Sequence, residues 1–595
     1  MNSITEFENL YKRDIPSTRT GLFYNLFSYP TKISPEVIAL YIATHTEVGD
    51  TVLDVFGGSG TTALAAKLCE NPTDKLFALE KQFDVKAKWG SRKVIIYELG
   101  KYGSFATQVI CNPPDSIEFK NAFKDYYKKA YMQLERVYSA KDENGEPGEI
   151  RHIVWSDVIK CTHCKNEVNY YDVAVKYEPL KIEKSGLCPI CGMEITFDSC
   201  EHVVENVYDA LLNQKVDRKK RVPVKVYGES NGKKWARLAN DDDRKLIDEC
   251  EKLSYSSNDI SKRIEWGDLY RSGYHKGITH LHHFYTRRNY HVMSVLWSLT
   301  DQYKSDIANA IKLLLLSYNA AHSTLMTRVV AKKNSKDFVL TGAQSGVLYV
   351  SSLPVEKNIL KGIKRKANNF IEAFNFVNKC TGVTEVVNAS STELKIKSSS
   401  VDYVFTDPPF GDYIPYAEVN QINELWLNET TDRKDEVIIS QSQNKNLDKY
   451  GKMMHQVFTE IYRVLKPKGM ATVVFHSSKA KVWESMCNTL NNSNFHISQA
   501  SVLNKVQSSF KQVVDIDSVQ GDPMMLLSKD LTLESNEDKE NVLIQMAEES
   551  ILNGNLDERL IYSRYLSECL KTGKKITIDA KEAYKYIRWR LEVVS

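Results

Sequence analysis

The sequence predicts an α/β fold: a doubly wound, mainly parallel sheet interrupted by a large α+β insertion and followed by a small helical carboxyl-terminal domain. Three observations predict it. Thr51-Val52-Leu53-Asp54-Val55-Phe56 runs through Gly57-Gly58-Ser59-Gly60-Thr61-Thr62 into Ala63-Leu64-Ala65-Ala66-Lys67-Leu68, so strand, glycine turn and helix follow in sequence. Val401-Asp402-Tyr403-Val404-Phe405-Thr406 is an apolar run stopped by Asp407-Pro408-Pro409-Phe410, the pattern of a buried strand that ends on a rigid loop. Between the two, the stretch 111–380 has a different character and divides the sheet into halves. Open sheets of this kind bind ligands outside the carboxyl ends of their strands, which puts both loops at the expected site.

At 595 residues the chain exceeds one hydrophobic core and suggests about three or four domains. Lys plus Arg total 79 against 76 for Asp plus Glu, so the net charge of +3 leaves any polyanion partner to a local basic patch. The 32 tyrosines and 8 tryptophans suit base stacking and ordinary cores alike. Residues 1–30 lack the apolar stretch of a secretory signal, and the longest apolar run, around Leu313 to Leu316, falls far short of the roughly 20 residues that span a bilayer. The expectation is a cytoplasmic protein with no membrane contact. Eleven cysteines in so long a chain are not a disulfide framework, and in a reducing compartment the paired ones read as metal ligands.

Taken in order, Ser34-Pro35-Glu36 and the apolar-periodic stretch Val37 to Ile42 read as a capped helix with proline at its first position. The glycine turn after Phe56 lets backbone approach a ligand, and the helix behind it offers free N–H groups to a carboxylate or phosphate. Neither Gly-Lys-Ser/Thr nor Gly-x-Gly-x-x-Gly follows, which argues against a phosphate loop and a dinucleotide site. Leu76-Phe77-Ala78-Leu79-Glu80 reads as the second strand, ending in an acid 26 residues after Asp54, near the spacing at which a carboxylate takes ribose hydroxyls. The sheet pattern resumes at Val383 to Val387, followed by the polar Asn388-Ala389-Ser390.

The insertion opens with Asn112-Pro113-Pro114-Asp115, a rival to Asp407 to Phe410. It lacks an aromatic residue after its prolines and precedes a charged helix, Phe119 to Glu135, so it reads as a boundary loop. Cys161-Thr162-His163-Cys164 and Cys188-Pro189-Ile190-Cys191 are two C-x-x-C knuckles with 23 residues between them, which predicts a four-cysteine structural zinc ribbon over residues 155–200. Cys200 and His202 are poorer substitutes. From Lys215 to Arg237 nine basic residues stand against Asp217 and Glu229, with Tyr227 and Trp235 interleaved, as in a phosphate-tracking stretch or a solvated hairpin. His280, His282 and His283 read as packing or surface groups ahead of a helical region that runs to Leu316, with metal binding the lesser alternative.

Downstream, Met453 to Leu465 is an amphipathic helix, Ala471 to His476 a buried strand, Val482 to Leu490 a helix, and Phe495 to Val502 with Met524 to Leu527 a closing antiparallel pair. Leu531 to Glu540 reads as a linker. The domain plan is 1–110, 111–380, 381–530 and a helical 541–595.

Asp54 to Thr62, preceded by Tyr29-Pro30-Thr31-Lys32 and followed by Asp407-Pro408-Pro409-Phe410, resembles the S-adenosylmethionine-dependent DNA amino-methyltransferases of the N6-adenine and N4-cytosine group, over residues 20–85 and 383–530. The resemblance implies a Rossmann-like methyltransferase sheet with the cofactor half first, a target-recognition insertion in the middle and the catalytic half last. It implies cofactor contacts from Thr31, Asp54, Phe56, Gly57, Gly58, Gly60, Thr61 and Thr62, a ribose contact from Glu80 and an adenine-ring contact from Ser390. Asp407, Pro408, Pro409 and Phe410 are its implied catalytic residues, and Asp in first place favours adenine N6.

The chemistry agrees with these residue types. An exocyclic amine is a poor nucleophile because its lone pair is delocalised into the ring; Asp407 and the Pro408 carbonyl suit its two protons, and Phe410 suits the face of the base. A target in duplex DNA has to be flipped out. The expected function is a site-specific DNA methyltransferase of restriction-modification or phage defence. It would use S-adenosylmethionine, structural zinc and double-stranded DNA, with a companion nuclease or other defence proteins as partners. RNA base amino-methylation and a non-catalytic nucleic-acid-binding scaffold are the alternatives.

Overall fold

The computed structural model describes residues 7–18, 20–253, 261–505, 521–529, 542–552 and 557–594. The expected linker from Leu531 to Glu540 lies outside them. Two units result: Met1–Pro113, Ala373–Ala417 and Glu429–Ser595 in the first, Pro114–Glu372 and Glu418–Asn428 in the second.

The first unit is built on eight strands: β1 (Ile15–Ser17), β2 (Thr51–Asp54), β3 (Lys93–Tyr97), β4 (Thr384–Val387), β5 (Val401–Thr406), β6 (Leu465–Val474), β7 (His496–Lys505) and β8 (Asp522–Ser528). Their spatial order is β1-β7-β8-β6-β5-β2-β3-β4. β4, β3, β2, β5 and β6 run parallel, β8 is antiparallel to both β6 and β7, and β1 runs parallel to β7. This is a doubly wound, Rossmann-like sheet whose strand order reverses between β2 and β5, the position where such sheets receive ligands. Val52, Leu53, Val94 and Ile96 in β2 and β3 are buried, as expected of parallel strands covered on both faces.

One expected strand is a helix. Asp74–Phe83 buries Leu76, Leu79 and Phe83 at helical spacing while Phe77 stays exposed, and it ends at Asp84 with a φ of 50°. The second strand of the sheet is β3, a β-branched run that lies between Gly90 and Gly100. The insertion therefore enters after β3 and the helix Lys101–Cys111. A second correction concerns the tail. Helices Val542–Leu552, Glu558–Lys571 and Ala580–Val594 follow β8, and Ile561, Tyr562, Leu566 and Tyr584 share one apolar cluster with Leu53, Val404 and Val473 of the sheet. The tail is part of the first unit and not a domain of its own.

The second unit is organised around a long strand, Pro147–Lys160, which pairs with Arg221–Ser230 in a seven-stranded sheet. Asp115 caps the helix Ser116–Leu134, accepting from the backbone N–H groups of Ile117 and Glu118 at 3.0 and 2.9 Å. The rival Asn112 to Asp115 loop thus ends as a helix cap. The basic stretch folds into two hairpins, and several of its charges are tied internally: Arg221 to Asp157 at 2.7 Å, Lys225 to Asp337 at 3.1 Å, and Arg237 to Asp243 at 2.5 Å. Among the described residues no helix is long and apolar enough to cross a membrane.

Candidate functional site

β2 and β5 lie side by side in register, Val52 beside Tyr403 and Leu53 beside Val404, so their carboxyl ends bring Asp54 and the Asp407 loop to one edge of the sheet. Asp54 is only 5% exposed, and both its oxygens are engaged. Oδ1 accepts from the backbone N–H of Phe56 at 3.0 Å and from Thr406 Oγ1 at 2.9 Å; Oδ2 accepts from Thr62 Oγ1 at 2.6 Å. Asp54 and Thr62, both expected at the cofactor, shape the turn from within and lash it to β5.

Burial pushes the Asp54 carboxyl up to about 6 from 3.8, against the pull of Thr62, Phe56 and Thr406. The folded chain therefore binds more protons than the unfolded one between those values, and stability falls as pH rises through that window. Asp54→Asn should flatten the slope of unfolding free energy between pH 4 and 6.5, an effect of up to about 3 kcal/mol at one pKa unit per 1.4 kcal/mol. Urea titrations of both proteins at several pH values check this; an unchanged slope in the variant refutes the assignment.

The turn itself is shaped by close approaches. Gly58 and Gly60 take φ of +50° and +70°. A side chain on Gly60 would meet Thr107 Oγ1 at 2.7 Å, and one on Gly57 would run into Ile96 of β3. Gly58 lies under the Tyr29 ring, 3.1 Å from where its Cβ would stand. Phe56 is half-buried and Thr61 is buried with its Oγ1 2.8 Å from Ser59 Oγ.

Glu80 does not reach this turn. From the helix Asp74–Phe83 it accepts hydrogen bonds from Ala87 N at 3.0 Å and Trp89 Nε1 at 2.8 Å, pinning the loop that follows. The acid at the turn is Glu98, one residue beyond β3. Its Oε2 accepts from Gly58 N and its Oε1 from Gly100 N, each at 2.6 Å. Its signal in the sequence was the β-branched run directly before it. Asn388 Nδ2 donates to the Glu98 and Leu99 carbonyls at 2.8 and 2.9 Å, joining the ends of β4 and β3, and Ser390 Oγ lies 2.9 Å from Thr392 Oγ1.

Thr31, at a φ of 57°, has its Oγ1 2.8 Å from the Tyr416 hydroxyl. Tyr29 stacks on Tyr416 at 6.1 Å and on Tyr102 at 6.5 Å. Burial, then the charge of Asp407, push the Tyr416 hydroxyl well above its ordinary value; Thr31 opposes this, while Tyr413 and Glu98 add to it. Two carboxylates, Asp407 and Glu98, thus act on one small region. In the Asp407 loop, the Pro409 carbonyl accepts from Tyr450 Oη at 2.7 Å and from Gly411 N at 3.0 Å, which fixes the loop. Pro408 is buried and Asp407 half-buried. Phe410 departs from expectation. It is 6% exposed, with its ring 5.8 Å from Phe475 and 5.5 Å from His476, and belongs to the core. The partly exposed rings here are Tyr416, which feels the charge of Asp407, with Tyr413 beside it and Tyr29 stacked on it.

In the second unit the sulfurs of Cys161, Cys164, Cys188 and Cys191 all lie within 4.8 Å of one another, with Cys161 to Cys191 at 3.8 Å and Cys164 to Cys188 at 3.9 Å. A tetrahedral zinc with sulfurs at about 2.3 Å has sulfur–sulfur edges of about 3.8 Å, so the four residues fit that metal. Cys200 instead faces the Thr196 carbonyl, at 3.5 Å. His282 and His283 converge on Asp209: their Nε2 atoms lie 2.7 and 2.9 Å from Oδ2. Thr279 N donates to His283 Nδ1 at 3.2 Å, so the neutral ring carries its proton on Nε2 and donates it to Asp209. The histidines form a hydrogen-bonded clamp.

Residues 5–72 match a family model described as DNA methylase. No curated protein sequence matches the chain. Among solved structures, a SAM-dependent methyltransferase from Methanosarcina mazei aligns at 11% identity over 27% of this chain and 79% of its own, with a TM-score of 0.16. The antibiotic-resistance methyltransferase Kmr aligns at 10% identity over 26% and 63%, with a TM-score of 0.15. Geranyl diphosphate C-methyltransferase from Streptomyces coelicolor A3(2) aligns at 8% over 28% and 60%, with a TM-score of 0.16. Overlaps that small carry no weight for chemistry.

Proposed function

We propose that the chain transfers a methyl group from S-adenosylmethionine to the exocyclic amine of a flipped base in double-stranded DNA, adenine N6 first. The observation that carries this reading is the delivery of the glycine turn and the Asp407-Pro408-Pro409 loop to one sheet edge by adjacent strands. The DNA methylase match over residues 5–72 supports it. Bound S-adenosylmethionine would supply an electrophilic methyl group. The turn from Phe56 to Thr61 and the helix behind it suit the cofactor's amino-acid end, with Thr31 beside them. Asp407 and the Pro408 carbonyl accept hydrogen bonds from the two amine protons, drawing the nitrogen toward a tetrahedral form with its lone pair free, and one proton leaves after methyl transfer. The rings of Tyr29, Tyr413 and Tyr416 offer the base a stacking surface in place of Phe410. The inserted unit, with a structural zinc on its four cysteines, reads the target, and the setting is restriction-modification or phage defence in the cytoplasm with a companion nuclease.

Transfer of labelled methyl groups to varied duplex DNAs, with total RNA as the parallel substrate, tests the reading. Labelling of duplex DNA is expected; its absence from wild-type protein on every DNA overturns the proposal. A second experiment concerns the ribose. The position of Glu98 at the glycine turn supports giving the ribose contact to it and not to Glu80, so Glu98→Ala should weaken cofactor binding by about ten- to a hundredfold, the worth of a hydrogen bond to a charged acceptor. Glu80→Ala should leave it unchanged. Titration calorimetry of both variants decides, and a larger loss in Glu80→Ala returns the role to Glu80.

A further inference from the structure

The second unit contains a cavity of about 290 Å³ that the methyl-transfer reading does not use. We infer that this cavity is a binding site for a single amine-bearing nucleotide, with its phosphate met by Arg218 and Lys276 and its ring by Trp155 and Tyr208. Its volume sits at the lower end of small-ligand sites, about 300 Å³, which suits one nucleotide and not a folded partner.

The charges are arranged for a phosphate. Arg218, Lys219, Arg221 and Lys276 line the cavity against two carboxylates, Glu205 and Glu251. Behind it, Asp157 is committed to Arg221 at 2.7 Å, to Lys219 at 3.5 Å and to His202 at 3.1 Å. Arg218 and Lys276 are not among its partners. Thr286, on the same lining, caps the 13-residue helix Arg287–Leu299, accepting from Asn289 N at 3.2 Å, so the positive end of that helix adds to the field.

The remaining lining fits a base. Tyr208, 61% exposed, stands at the mouth of the cavity with its hydroxyl donated to Asn213, which leaves its ring face open to a base. Trp155 and Tyr285 are buried beside it, Trp155 held by its Nε1 to Glu356 at 3.0 Å. Glu205 and Glu251 can accept from the amine of adenine, cytosine or guanine, which a sugar phosphate would not offer. The wall is also preorganised. Tyr208 and Glu205 lie on the strand Val204–Asp209, whose last residue is clamped by His282 and His283, and His283 itself lines the cavity.

The nucleotide could be free or extruded from a strand, and both sources share this chemistry. Titrations of the full chain with AMP, CMP, GMP and UMP, and with DNA duplexes carrying one unpaired adenosine, distinguish them. Binding of the amine-bearing monophosphates alone marks a small-molecule site; binding of the duplex alone marks an extruded base. In either case the double variant Arg218→Ala/Lys276→Ala and the single variant Tyr208→Ala should each weaken binding tenfold or more, and UMP should bind at least tenfold more weakly than AMP. Calorimetry with S-adenosylmethionine on the same samples should be unaffected, so this result stands apart from success or failure of the methyl-transfer reading. No binding of any of these ligands, or equal binding by wild type and both variants, overturns the inference.

Discussion

Asp407→Ala is expected to lower methyl transfer to duplex DNA by roughly a thousandfold while leaving S-adenosylmethionine affinity within about twofold. The amine must shed delocalisation into its ring as it attacks, and a carboxylate that accepts one of its protons stabilises the charge developing there. Loss of one such preorganised group costs on the order of a hundred- to a thousandfold in turnover, and loss of the acceptor for the departing proton adds to that. The residue is half-buried, and the hydrogen bonds that hold the turn to β5 centre on Asp54, Thr62 and Thr406. Its removal should therefore spare the fold. Asp407→Asn keeps a carbonyl acceptor and should retain more activity than the alanine variant. Tyr450→Phe, which loses the hydroxyl that donates to the Pro409 carbonyl and faces Gly411, should loosen the loop and cost less than either. The readout is single-turnover labelling alongside cofactor calorimetry. Equal transfer by Asp407→Ala and wild type would remove the catalytic role from this loop.

The parts of this site that were legible from sequence are those whose signal is local. β2 with its glycine turn, and β5 stopped by two prolines, each declare themselves within a dozen residues, and the four cysteines do so by spacing. Glu98 was missed because Leu76 to Glu80 is short and apolar, a length at which strand and helix periods cannot be separated. The apolar Phe83, at helical spacing from Leu76 and Leu79, and the β-branched Val94-Ile95-Ile96 are the signals that the sheet's second strand comes later. Phe410 was misplaced for a different reason. Nothing next to it in the chain reveals that Phe475 and His476 of a distant segment close over its ring. The same holds for the Thr31 contact with Tyr416, between residues 385 positions apart.

The largest stability effect should come from the four cysteines. Metal analysis is expected to find one zinc per chain, and either chelation or Cys161→Ser should unfold the ribbon from Cys161 to Cys200 and expose it to protease, while the sheet of the first unit keeps its protection. Every strand between Cys161 and Cys200 is three residues long; Tyr171, Val175 and Leu180 pack on the neighbouring core, and the apolar cluster at the knuckles themselves is only Ile159, Val168, Val173 and Ile195 around Cys161 and Cys188. So small a core cannot offset the conformational entropy of ordering about 40 residues, which costs on the order of 1 kcal/mol each for the backbone alone. A closed tetrathiolate site supplies about 10 kcal/mol or more of folding free energy at neutral pH. Because all four ligands come from protein, the metal should hold structure and leave no open position for substrate. Cys200→Ser is the matched control: its sulfur faces the Thr196 carbonyl, so that variant should keep its zinc. A wild-type ribbon that resists protease without bound zinc would show that the cysteines pack as apolar side chains and that another source of stability holds them together.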